Sequence, residues 1–318
     1  MEIKRRIVGV VGVGHVGAHV AFNLGMMGIA DEVRLCDCKE QKVVSEVQDL
    51  NDAVSYMPNH VRYIGTDYAG LKDCDVIVNA SGDISILVNG NTRDLELVNS
   101  VKQVSDFVPK IMAAGFQGIF VNITNPCDVI TNLIAEKSGL PRNRVVGTGT
   151  LLDSSRLIHA ISDYTGLDAR SFTAFMLGEH GNAQFVPWSC VYFYGKSFVD
   201  FAKDTGINFN QKEIQEKAIM GGWTTFNGKH CTEYGIASAG ATLVRTILHD
   251  EKRIIPVSAP LNGEYGQKDI YCGVPAVVGA KGVESVIEYP LTKEEMTEFT
   301  RCCDVIRVNI QKGKDVLK

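Results

Sequence analysis

The octapeptide Val10-Val11-Gly12-Val13-Gly14-His15-Val16-Gly17 constrains the fold of this chain more than any other segment. It has the spacing G-x-G-x-x-G, follows a short β-branched run and opens a helix-like stretch. In that setting each glycine has its own reason. The first permits a tight turn, the second lets backbone approach a pyrophosphate, and the third allows close helix–strand packing. The helix N-terminus behind it offers free N–H groups and positive potential. Glycines also punctuate ordinary turns, so the spacing needs support. Asp37 provides it. It ends a second β-like run 20 residues beyond Gly17, where a carboxylate can accept hydrogen bonds from a ribose diol. The same charge opposes a 2′-phosphate, so NAD is the expected cofactor rather than NADP. The expected cofactor contacts here are Gly12, Val13, Gly14, His15, Val16, Gly17 and Asp37.

The alternation continues through the first half. Residues 7–11, 32–36, 76–80 and 119–123 are short apolar or β-branched runs of the kind buried in parallel sheets. Helix-like stretches at 15–27, 40–53, 92–114 and 128–138 lie between them. The expected fold class is therefore α/β, with a doubly wound parallel-sheet Rossmann domain over residues 1–146. Residues 147–318 are more mixed and are expected to form an α+β catalytic domain. Its signals are a helix at 150–165, strands at 171–177 and 191–194, and a helical region from 211 toward 248. Strand and turn signals then run over 254–278, with Asn262-Gly263 as a hairpin turn, before a closing helix at 293–312.

Bulk properties exclude several classes. A net charge of −5 gives no whole-chain attraction to nucleic acid or an anionic membrane. No apolar run approaches the roughly 20 residues needed to span a bilayer, and the first eight residues lack the long apolar core of a signal peptide. The nine cysteines are odd in number and form no C-x-x-C pair, so neither a disulfide framework nor a metal site is expected. Free thiols fit a reducing cytoplasm.

The chemistry concentrates in two segments. Leu152-Asp153-Ser154-Ser155-Arg156 sets a carboxylate and a guanidinium three residues apart, on about one helix face. Leu177-Gly178-Glu179-His180-Gly181 supplies a histidine hemmed in by glycines. A histidine oriented by an aspartate is a proton-transfer pair, and a nearby arginine can grip a substrate carboxylate with two hydrogen bonds.

With these motifs, Asn122-Ile123-Thr124-Asn125-Pro126, Gly147-Thr148-Gly149-Thr150 and a loop arginine at Arg93, the chain resembles the L-lactate/L-malate dehydrogenase family over essentially its whole length. Within that family it looks most similar to L-2-hydroxyisocaproate dehydrogenases. The resemblance implies a reversible hydride transfer between NADH and a 2-keto acid, L stereochemistry, and a homodimer or homotetramer. It implies that His180 is the general acid/base, that Asp153 orients it and that Arg156 binds the substrate carboxylate. It further implies that Arg93, in a mobile loop with cofactor contacts at Ser81 and Gly82, polarises the carbonyl. Asn125 would orient the carbonyl or the nicotinamide carboxamide, and Asn125-Pro126 is a candidate cis bond.

Substrate preference rests on two features. The loop between Gly82 and Arg93 contains Ile84, Ile86, Leu87 and Val88 but no cation to pair a distal carboxylate, which disfavours malate and oxaloacetate. Gly221-Gly222 falls on a helix expected to wall the pocket, with Thr232 as a neighbour. Missing side chains there make room for a larger substrate, or else allow close helix packing. The leading expectation is a preference for larger or branched apolar 2-keto acids, with plain L-lactate dehydrogenase as the alternative. From another class, a non-catalytic NAD-binding redox sensor is the remote alternative.

Overall fold

The first apolar run forms strand β1 (Ile7–Val11), and the glycine turn leads into helix α1 (His15–Met26). The computed structural model describes residues 4–83, 85–88 and 93–318, the side chains of 87, 88 and 93 excepted. The first half continues with β2 (Glu32–Cys36), α2 (Glu40–Val54), β3 (Arg62–Gly65), β4 (Val76–Asn79) and the short α3 (Ser85–Val88). It closes with α4 (Arg93–Ala113), β5 (Ile119–Asn122), α5 (Cys127–Ser138) and β6 (Val145–Gly147). These six strands pair in parallel in the order β3-β2-β1-β4-β5-β6. This is the expected Rossmann sheet. Its strand order reverses between β1 and β4, where the carboxyl ends of the strands leave a crevice.

Period-2 alternation builds a core on each face. Val8, Val10, Val76, Val78 and Val121 pack toward α1, where Val20 and Leu24 meet them. Ile77 and Phe120 point the other way, against Val104 and Val108 of α4 and Ile130 of α5.

The second half contains α6 (Leu151–Thr165), the short strands β7 (Phe172–Thr173), β8 (Tyr192–Phe193) and β9 (Lys196–Ser197), and α7 (Phe198–Thr205). Then come α8 (Gln211–Lys229), α9 (Tyr234–Leu248), β10 (Arg253–Asn262), β11 (Lys268–Gly279), β12 (Gly282–Val286) and α10 (Lys293–Val316). Strands β10 to β12 do not make a separate sheet. They extend the parallel sheet through an antiparallel pairing of Ser258 with Gly147, giving nine strands in all. β7 to β9 form a small second sheet over its own core of Leu157, Ile161, Phe172, Phe193 and Phe198. Among the described residues no helix is long and apolar enough to cross a membrane and no side-chain cluster could hold a metal ion. All nine cysteines are free thiols.

Three expectations in this half are corrected. The segment 171–177 is a strand only at Phe172–Thr173. Beyond it, the Met176 N–H donates to Ser154 Oγ at 2.9 Å and the Met176 carbonyl accepts from Thr150 Oγ1 at 2.8 Å, so side chains of α6 and of the residue before it take the place of a neighbouring strand. The helical region from 211 toward 248 is two helices. His230 caps α8 in the left-handed conformation, φ 62°, and Thr232 sits in the break. Asn262-Gly263 is not a two-residue turn. The connection runs from Gly263 to Gln267 because Tyr265 is buried in the core against Phe299, ring centroids 4.7 Å apart.

Candidate active site

Asp153 and Arg156 lie in the first turns of α6, and His180 lies in the loop that the Leu177–Phe185 bridge closes. That loop is tied down at its base. Gly178 exchanges two backbone hydrogen bonds with Gly273 of β11, at 3.0 and 2.9 Å. The anchoring brings His180 Nδ1 to 2.5 Å from Asp153 Oδ2, while Arg156 Nη1 donates to Asp153 Oδ1 at 2.9 Å. One carboxylate, 1% exposed, thus takes both cationic partners. With Nδ1 committed, Nε2 is the ring nitrogen free to exchange a proton.

The electrostatics follow from this geometry. Burial alone would favour neutral imidazole. The Asp153 carboxylate outweighs burial and raises the His180 pKa, with help from Asp128 and against Arg156. Burial would likewise protonate Asp153, but the charges of His180 and Arg156 hold its pKa below the ordinary carboxylate value. The pair is therefore an imidazolium–carboxylate over a wider pH range than an isolated histidine would allow.

These groups open onto a cavity of about 730 Å³ that runs from the glycine turn to α8 and α10. Gly14, His15, Val16, Ser81 and Gly82 line one part of it. Asn125, Asp153, Arg156, His180, Gly222 and Thr232 line the other. Gly12, Val13, Gly17 and Asp37 are not among the described residues that line it. A Cβ on Gly12, φ +87°, would lie 2.6 Å from the Ser81 backbone, and one on Gly17 would lie 1.9 Å from the Gly12 carbonyl oxygen. A Cβ at Gly14 would meet nothing within 4 Å, so the middle glycine leaves backbone open to the cavity. Asp37 Oδ2 accepts from the Val13 N–H at 2.9 Å, which locks the end of β2 to the turn. The turn, the helix N-terminus and the carboxylate fit a dinucleotide.

The remaining expected site residues are placed unevenly. The Asn125-Pro126 peptide is cis. Arg93 opens α4, but its side chain, that of Leu87, and Ile84 lie outside the described residues. Ile86 is half-buried in α3 and is not among the described residues lining the cavity. Gly221 does not line it either. A Cβ there would sit 3.1 Å from Arg156 Cδ, and one on Gly222 would sit 3.4 Å from the guanidinium nitrogens. The two glycines therefore seat the Arg156 side chain beside α8.

Sequence reasoning missed several residues. Asp128 is buried, Oδ2 accepts from the His180 backbone N–H at 2.8 Å, and Oδ1 accepts from Ser258 Oγ at 2.5 Å. Its only local signal is an acid in the first turn of α5. Ile219, Trp223 and Phe226 of α8, Ile236 of α9 and Val305 of α10 give the cavity an apolar wall. The 219, 223, 226 spacing is a helical stripe, but nothing in the sequence says that it faces a cavity. Arg301 of α10 also reaches the cavity and is bonded to Glu298 at 2.7 Å and to the Ala183 carbonyl at 3.0 Å.

Comparison with known proteins agrees with this arrangement. Residues 6–147 match the family model described as lactate/malate dehydrogenase, NAD binding domain, and residues 150–317 match its alpha/beta C-terminal domain. The chain is 39% identical over 315 residues to a Fusobacterium nucleatum protein named L-lactate dehydrogenase, covering 98% of each. Its fold superposes on the ligand-bound crystal structure of the minor L-lactate dehydrogenase from Enterococcus mundtii with a TM-score of 0.92 at 31% identity, covering 96% of this chain and 98% of the other. A malate dehydrogenase from Cryptosporidium parvum superposes with a TM-score of 0.91 at 26% identity, covering 98% and 100%.

Proposed function

This chain belongs to the lactate/malate dehydrogenase family, and from that premise we propose that it is an L-lactate dehydrogenase that interconverts a 2-keto acid and its L-2-hydroxy acid. The observation that carries the reading is the chain of contacts from Arg156 through Asp153 to His180, open to the same cavity as the glycine turn. NAD, when bound in that turn, supplies or takes up the hydride. Arg156 has guanidinium N–H groups beyond the one given to Asp153, and these suit a substrate carboxylate. His180 Nε2 gives its proton to the carbonyl oxygen in reduction and removes the hydroxyl proton in oxidation. Asp153 keeps the ring in the tautomer that allows both. Reduction needs the imidazolium, so the raised His180 pKa extends reduction to higher pH. Residues 1–146 serve the cofactor and 147–318 the substrate, with Arg93 and Asn125 at the carbonyl. A homodimer or homotetramer is part of the same reading.

The expectation of a larger or branched substrate is a second reading. The relatives named L-lactate dehydrogenase favour pyruvate over it, and a side chain at either glycine would meet Arg156, although Gly222 also lines the cavity. What still favours it is the apolar wall of Ile219, Trp223 and Phe226. A panel of pyruvate, 2-ketoisocaproate and oxaloacetate, followed by NADH absorbance, tests both. Pyruvate is expected to give the highest kcat/KM. Higher kcat/KM for 2-ketoisocaproate establishes the second reading. Oxaloacetate is expected to be poor, since the sequence between Gly82 and Arg93 has no cation to pair a distal carboxylate; efficient turnover of it removes both readings.

A further inference from the structure

Strands β4 and β5 each end on an asparagine, Asn79 and Asn122, and both are fully buried. Strands buried in a parallel sheet ordinarily carry apolar residues, and an amide taken out of water is costly unless its polar atoms find partners. These two find them in each other and in two loops. They stand opposite in register, and Asn79 Nδ2 donates to Asn122 Oδ1 at 2.8 Å. Asn79 Oδ1 accepts from the Ser81 N–H at 3.2 Å and from Ser81 Oγ at 2.7 Å. Asn122 Oδ1 also accepts from the Thr124 N–H at 3.1 Å, and Asn122 Nδ2 donates to the Thr124 and Cys127 carbonyls at 3.1 and 3.0 Å. Thr124 Oγ1 then joins the loops directly, donating to the Ser81 carbonyl at 2.6 Å.

We infer that Asn79 and Asn122 are positioning residues, a buried clamp that sets the spacing of the two loops and so seats the nicotinamide end of the cofactor against the substrate carbonyl. The inference rests on the reading of the cavity as a dehydrogenase site. Ser81 and Gly82 line the part of the cavity that holds the glycine turn, and Asn125 lines the part that holds His180 and Arg156. A hydride has to pass between those parts, so one loop shifted against the other misplaces donor against acceptor. The amides permit one arrangement only. Backbone N–H groups face both oxygens and backbone carbonyls face Asn122 Nδ2, so neither side chain can flip without setting like against like. Asp37 is bonded to the Val13 N–H without their help, which leaves the adenosine half of the site outside the clamp.

Asn122→Leu keeps the shape of the side chain, removes its bonds to Asn79 and Thr124, and leaves Asn79 Nδ2 unpaired. Asn79→Leu/Asn122→Leu removes the unpaired amide as well, so it is expected to melt no lower than the single variant. Calorimetric titration with NADH and with ADP-ribose, which lacks the nicotinamide, separates the two halves of the site. In both variants the NADH dissociation constant is expected to rise about fivefold relative to that of ADP-ribose, the worth of a typical net hydrogen bond. Single-turnover reduction of pyruvate at saturating NADH is expected to slow about tenfold. The inference is overturned if the ratio of the two dissociation constants in the double variant stays within about twofold of the parent's, or if the single-turnover rate is unchanged. A pair that only stabilised the fold would weaken both ligands alike. If the parent reduces no 2-keto acid, the dehydrogenase reading falls, while the ratio still decides the clamp. If Asn122→Leu does not fold, the double variant alone decides.

Discussion

Asp153 accepts from His180 and Arg156 at once, and this determines what its replacement should do. An amide in its place presents an acceptor to one donor and an N–H group to the other, so one partner is left facing a donor. Asp153→Asn is therefore expected to lower kcat at least 100-fold, within the range general acid–base catalysis contributes, and to raise the KM for the keto acid. The NADH dissociation constant, read by fluorescence titration, should be unchanged. A loss of less than fivefold would count against the proton-transfer role. This part of the site was legible in the sequence because Asp153 and Arg156 are helical neighbours and His180 stands in a short glycine-flanked motif. Asp128 and Ser258 were not. They reach His180 and each other across 52 and 130 residues of chain, and only the pairing of β10 with β6 brings Ser258 in.

At the level of elements, the packing of α8 on α6 decides how Arg156 is held. A Cβ at Gly221 would press on Arg156 Cδ at 3.1 Å, tight enough that the arginine must give way. Gly221→Ala should gain up to about 1 kcal/mol of helix propensity. It should nonetheless raise the KM for the keto acid several-fold with NADH binding unaltered. If the thermal midpoint rises and KM stays constant, the glycine has no part in seating Arg156. The sequence showed a glycine pair on a helix but not its neighbour, so room for substrate and room for a side chain read alike. The break between α8 and α9 was hidden for a similar reason. Neither proline nor glycine stands in it, and the left-handed cap is His230 rather than the glycine that ordinarily marks a helix end. The strand expected at 171–177 failed because hydrophobic runs report burial, whereas a strand needs a neighbouring backbone.

For the whole molecule, the charges buried around the cavity link stability to pH. Asp128 has a folded pKa of about 6, raised above its unfolded value. The folded state therefore binds the extra proton between about pH 4 and 6, and stability falls as pH rises through that window. Above it the full penalty remains, nominally on the order of 2–3 kcal/mol. Asp128→Asn lacks this penalty, so its melting temperature should exceed that of the parent by more at pH 7.5 than at pH 4.5. A difference that is constant or shrinks toward pH 7.5 would show that Asp128 does not carry the burial cost. Asp153 has the opposite sign. Its depressed pKa contributes stability above the unfolded value that is lost as pH falls through the folded one. Taken alone, the sequence determined the alternating strands and helices, the glycine turn and the His180–Asp153–Arg156 set, because these depend on local periodicity and short spacing. Tertiary structure alone decided that one nine-stranded sheet joins both halves, that α8 gives the cavity an apolar wall, and that Asp128 grips the catalytic loop. Those are contacts between distant segments, and their geometry exists only once the sheet has brought the segments together.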